Sequence, residues 1–143
     1  MGYAMFTMRK QFLTAQLNDI NFKLMNLSQQ KQELADVGSM LGDKGISQKE
    51  LYNSSVGARR WAEGAIMSAG QVGQVQSGSV SGEYGWNFSD NASQALNYSL
   101  YQQEKRIDTE MNRLQTQLKA KEQELESVNQ GEEKAIKRDT PKY

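Results

Sequence analysis

The feature that most restricts the fold is a seven-residue apolar repeat near the N-terminus. Phe6, Leu13, Ile20, Leu27, Leu34 and Leu41 stand seven apart without a break, and Leu17 and Leu24 supply the second seam position. Seven residues make almost two turns of an α-helix, so these side chains line one edge of a helix, whereas a strand would scatter them over both faces. A second repeat closes the chain. It reads Leu100, Ile107, Met111, Leu114, Leu118, Leu125 and Val128, with Leu96 upstream and Glu104 and Lys121 interrupting. The spacing predicts a first long helix over 6–41 and a terminal long helix over 90–137, roughly 50 and 70 Å long.

Neither stripe can be left in water. The simplest remedy is to lay the two helices antiparallel, with the intervening residues giving the chain room to turn back. Composition agrees with a thin seam rather than a thick core: in 143 residues the hydrophobic fraction is 37% and the aromatic fraction 8%. The expected fold class is all-α, a coiled-coil-like hairpin of the N- and C-terminal helices with a short central helix and a Gly/Ser-rich loop or small β-hairpin. The expected organisation is one elongated helical domain over 1–143. Lys31 takes a seam position, where a polar residue can fix register at a cost in stability, or its stem simply runs along the edge with the charge in water. Met25, Val37, Met40 and Tyr101 lie beside the main stripes and widen them.

The middle of the chain is weaker. Thr7 is a candidate cap for the first helix, and Gly42, Asp43, Lys44 and Gly45 are expected to stop it. Ser47 followed by Glu50 forms a capping box, which opens a weak central helix over 47–69. Gly57, Gly64 and the Asn53–Ser54–Ser55 cluster loosen that helix. Over 70–89 the composition turns to Gly, Ser and Val, and Tyr84, Trp86 and Phe88 alternate strictly, which reads as a short strand or extended arm. Three aromatics on one face are expected to dock, first on the chain's own helices and otherwise on another copy or a partner. Ser89 or Asp90 caps the terminal helix, and Pro141 ends it.

The same residues limit the chemistry. There is no His and no Cys, so the commonest zinc, haem and iron–sulfur ligands are missing, as are Ser–His–Asp and Cys–His catalysis. Glu104 and Asp108 form a carboxylate pair one turn apart, a spacing that helix surfaces carry routinely. No phosphate-binding glycine loop is present. No residue is assigned to catalysis, cofactor binding or metal binding, no cofactor is expected, and the chain is not expected to be an enzyme. Charge is balanced, with 17 basic and 17 acidic residues, which gives no general field for nucleic acid. Arg59, Arg60, Lys137 and Arg138 are the only basic residues worth weighing for that role, and no nucleic-acid partner is expected.

No stretch approaches a membrane span, and no classical signal peptide is read. The expected location is the cytoplasm, the outside by a leaderless route, or an assembled particle. A helical hairpin with Gln/Asn/Ser-rich faces and no cysteine resembles flagellin-type and secretion-needle subunits in composition and architecture. The Trp-x-Gly turn of small secreted hairpins is absent, since Trp61 precedes Ala62, Glu63 and Gly64, and Trp86 precedes Asn87 and Phe88. No family follows from either comparison. The leading expectation is a non-enzymatic structural or assembly subunit, a homo-oligomer joined through its heptad seams in a filament or particle. The alternative is a helical adaptor or chaperone-like module that binds a heterologous protein.

Overall fold

The computed structural model describes residues 2–41 and 45–139. The expected stops at Gly42–Lys44 and at Pro141 lie outside the described residues. The elements in order are α1 (Gly2–Met40), β1 (Gly45–Ser47), α2 (Gln48–Asn53), α3 (Val56–Gln71), β2 (Val75–Val80), β3 (Glu83–Phe88) and α4 (Asp90–Asp139). The fold is predominantly helical, with the two long terminal helices packed as a hairpin and a small sheet from the middle of the chain. Contacts divide it into two compact units, Met1–Leu27 with Thr109–Tyr143, and Ser28–Asp108.

In the first unit, the first part of α1 packs on the second part of α4. Leu13 and Ile20 are buried from α1, and Leu114, Val128 and Ala135 from α4. Arg9 pairs with Glu124, and a Cβ at Gly131 would stand 2.9 Å from the Phe6 ring. Position numbers thus fall along α4 as they rise along α1, which fixes the two segments antiparallel. Gly131 does not loosen the helix here. It leaves room for Phe6, the first residue of the repeat. Thr7 is not a cap either: α1 already begins at Gly2, and the Thr7 hydroxyl donates to the Tyr3 carbonyl one turn back at 3.0 Å.

In the second unit, the stride of α1 changes. Burial falls on Leu34, Val37 and Met40, three apart, because α1 here faces more than one neighbour. Leu34 and Val37 of α1, Ala58 and Trp61 of α3, and Ile107 of α4 line one small cavity of about 160 Å³. Lys31 reaches across to Asp108 of α4 at 2.7 Å, and both side chains remain about half exposed. The Asp108 carboxylate, by its hydrogen bond and then its charge, raises Lys31 above the usual lysine value, with a smaller contribution from Glu104. A polar layer therefore replaces leucine at the point where both helical repeats are interrupted.

The expected single central helix over 47–69 is two helices. Ser47 accepts from the Glu50 amide at 3.2 Å and opens α2. The Ser54 hydroxyl donates back to the Leu51 carbonyl at 2.6 Å and ends it, and Ser55 accepts from the Ala58 amide at 3.3 Å to open α3. The serine cluster thus breaks one helix and starts another. Gly73, at φ 72°, closes α3: its amide bonds to the Gly70 carbonyl and that of Gln74 to the Ala69 carbonyl.

The sheet has three antiparallel strands in the order β1-β3-β2. Strands β2 and β3 make the expected hairpin, from Val75 opposite Phe88 to Val80 opposite Glu83. Its two-residue turn, Ser81–Gly82, has both residues left-handed (φ 51° and 83°), the combination that matches strand twist. Strand β1 is an addition to the sequence reading. Ile46 lies opposite Trp86 and is fully buried, and Ser47 lies opposite Gly85. A Cβ on Gly85 would stand 2.3 Å from the Ile46 carbonyl oxygen, so only glycine lets β1 come this close. Ser89 then caps α4 by accepting from the Ala92 amide at 3.2 Å.

Candidate interaction surfaces

About half of the residues of the seven-residue repeats are buried inside the chain and the rest are half-buried. Leu13, Ile20 and Leu34 of α1 and Leu100, Ile107, Leu114 and Val128 of α4 are all buried. What remains for a partner is what lies outside those seams.

One such feature is in the first unit, on the solvent side of α1. Met5, Met8, Phe12, Phe22 and Met25 are between 63% and 71% exposed. Steps of three, four and seven residues place Met5, Met8, Phe12 and Phe22 in one row, with exposed Ala15 between Phe12 and Phe22. Single exposed apolar residues are normal on a monomer, and these four differ in sharing one side of α1. Asp19 crosses the row and is held by Lys23 at 3.1 Å. The sequence reading placed Met25 beside the seam. It is exposed instead, as is Tyr101, while Val37 and Met40 are buried. The row was legible in the spacing of Met5, Met8 and Phe12, but an apolar lead before a heptad repeat draws no attention to it.

A second feature belongs to the other unit. A groove of about 560 Å³ runs between α3 and the start of α4, over Trp61, Ala65, Ala69, Val72, Ala92 and Leu96. Small residues form its walls because α3 alternates Gly, Ala and Ser, and Trp61, half-buried, gives it an aromatic surface. The β3 aromatics form a gradient rather than a docked face. Phe88 is buried, Trp86 is half-buried and Tyr84 is exposed, the last two meeting edge to face at 5.9 Å. The row docks fully only at its α4 end. Beside it, β2 is the open edge of the sheet, and its sequence Val-Gln-Ser-Gly-Ser-Val carries neither charge nor proline to block a further strand.

Two of the charged residues singled out in the sequence, Arg59 and Asp108, are held by neighbours. Arg59 donates to the carbonyls of Leu51 and Tyr52 and lies 5.7 Å from the Tyr52 ring centre, tying α2 to α3. Arg60 is exposed beside the groove. Lys137 and Arg138 are exposed in the last turn of α4, at the negative end of its dipole. Asp108 is engaged by Lys31, and Glu104, half-buried, contributes to the field on that same lysine. This carboxylate pair therefore balances a cation. Among the described residues, no group of three or more acidic side chains converges in a way that could hold a metal ion, and no helix is long and apolar enough to cross a membrane. No family, no curated protein and no solved structure matches this chain.

Proposed function

We propose that the chain is a non-enzymatic structural or assembly subunit that associates with copies of itself, as a component of a filament or particle. The observation that carries this reading is the exposed apolar row on α1. A helix that has already buried one stripe against its hairpin partner gains nothing within the chain from Met5, Met8, Phe12 and Phe22 on the opposite side. The sequence pointed to self-association through the heptad seams. Because the buried residues of those seams lie within the hairpin, the proposed contact moves to the outer face of α1. Sedimentation velocity and light scattering across the micromolar range test the reading. We expect species larger than one chain that grow with concentration, and a monomer at every concentration would refute it.

A second reading rests on the groove at Trp61 and the uncharged β2 edge. It makes the chain a helical adaptor that clasps a heterologous protein, by helix-in-groove or strand-addition binding. Capture of a defined protein that protects the Trp61 indole from quencher, with the chain itself monomeric, would favour it over the first.

A further inference from the structure

The groove over Trp61 combines a narrow apolar channel with an unpaired cation. It lies wholly in the second unit, so nothing in it depends on the apolar row of α1. Its α3 wall runs from Arg60 to Val72, about 18 Å. A volume of about 560 Å³ drawn out over that length leaves a channel roughly 5–6 Å across. One extended alkyl chain fills such a width when its carbons stand about 3.5–4.0 Å from the walls. The channel stays open because Gly64, Ala65, Ser68 and Ala69 give α3 no large side chain to reach toward α4.

Among the residues that line it, Arg60 alone carries a formal charge. Arg60 makes no ion pair or hydrogen bond among the described residues, whereas Arg59 beside it is held by the carbonyls of Leu51 and Tyr52. Glu63, three residues on, does not line the groove. The hydroxyls show the same contrast. Those of Thr7, Thr14, Ser39 and Thr116 donate to their own helices one turn back. Those of Ser68 and Ser99, in the groove walls, make no such bond. The Ser89 amide donates to the Gln74 carbonyl at the far end, so α4 rises as α3 falls and Ser99 stands toward the Arg60 end. We propose that this groove binds the anion of a medium-chain fatty acid, with its carboxylate at Arg60 and Ser99 and its alkyl chain along Ala65, Leu96 and Ala69 toward Val72. A guanidinium can take both carboxylate oxygens, and the uncharged far end at Val72 and Gln74 asks for no second charge. An apolar lining with a few polar groups to fix orientation is how small ligands are commonly held. The site goes beyond the self-association reading and neither needs nor opposes it.

Trp61 is half-buried and borders both the groove and the small cavity beside α1, so its indole reports occupancy. The chain has two tryptophans, and Trp86→Phe leaves Trp61 as the single emitter. In that background, dodecanoate titrated below micelle-forming concentrations should shift Trp61 emission and saturate at one molecule per chain. A methylene half-covered in an open groove tightens binding by about twofold, so dodecanoate should bind roughly fifteenfold more tightly than octanoate. Arg60→Gln should weaken dodecanoate about tenfold and leave dodecanol unchanged. Ala69→Phe should fill the channel and abolish the binding of both, with helicity unchanged. No saturable shift with dodecanoate overturns the proposal, as does equal affinity for dodecanoate and dodecanol, or binding that survives both Arg60→Gln and Ala69→Phe.

Discussion

Leu114 offers the strictest test of the hairpin. It is 2% exposed, within the first unit, at the seven-residue spacing shared by Ile107 and Val128. Burying a leucine side chain stabilises by about 1.5–3 kcal/mol. Lysine in its place loses that and must desolvate its ammonium or drag it to the rim, adding about 1–3 kcal/mol. For a chain of this size, a total of about 3–5 kcal/mol lowers Tm by roughly 10–15 °C. Leu118, on the next turn but only half-buried, should give a smaller fall when changed to lysine. Gln115 and Gln117 carry the same new charge on neighbouring turns but are exposed, so each should move stability by less than about 0.5 kcal/mol. The assay is helical circular dichroism followed through thermal unfolding, with all four variants at equal concentration. The expected order of loss is Leu114→Lys, then Leu118→Lys, then the two glutamine variants together. Equal tolerance of all four would mean that α1 and α4 do not pack along this seam, and the hairpin would lose its basis.

Other changes probe the rest of the fold. Gly85→Ala should cost about 2–3 kcal/mol, since β1 must leave β3 to admit the methyl group, and hydrogen exchange at Ile46 and Ser47 should rise. Ser81→Asn should stabilise the hairpin by about 0.5 kcal/mol, because asparagine accepts the left-handed conformation at φ 51° more readily than serine, and an unchanged or lower Tm would count against the turn. The Lys31–Asp108 pair should contribute fully below the ordinary lysine value of 10.5 and fade as pH rises through the raised one, so Asp108→Asn should flatten the alkaline limb of a denaturation-midpoint series. At the acid end the hydrogen bond from Arg113 holds Glu110 below its ordinary 4.5. Its contribution is complete above that value and lost as pH falls through the lowered one, and Arg113→Met should remove the dependence. Both pairs are exposed, so both effects should be small and should shrink with added salt.

The long helices were legible because their signal is local and repeated. The expected 6–41 and 90–137 became Gly2–Met40 and Asp90–Asp139, because the apolar repeat fixes which residues are helical but the capping of the ends does not follow it. Ser47 could be read as a cap because a serine three residues before an acidic residue states its role in four positions. Strand β1 could not be read that way. Gly-Ile-Ser has no period, and its place depends on a bare backbone at Gly85, a neighbour in the fold that stands about forty residues downstream in sequence. The aromatic alternation in β3 correctly gave a strand, but alternation fixes only which side chains share a face. How deeply each is covered depends on what lies over the strand, so Phe88, next to the start of α4, is buried while Tyr84, next to the hairpin turn, is not.

The two helices of the first unit differ in a way that composition alone does not explain. Each buries one stripe against the other. On the remaining surface of α4, Ile136 is the large apolar residue left exposed among residues 109–138, and charged, amide, hydroxyl and small side chains fill the rest. On α1 the corresponding surface carries two phenylalanines and three methionines. If exposed apolar residues merely reflected a loosely constrained sequence, both outer faces would carry them, because both lie equally outside the seam. The asymmetry instead separates two demands. The seam needs only one apolar edge per helix, and α4 meets that demand with a polar back. The back of α1 answers to something the hairpin does not contain. A variant in which Met8, Phe12 and Phe22 are replaced by glutamine would give α1 a back like that of α4. Such a chain should keep its helicity and its thermal transition as a dilute monomer, and lose every larger species.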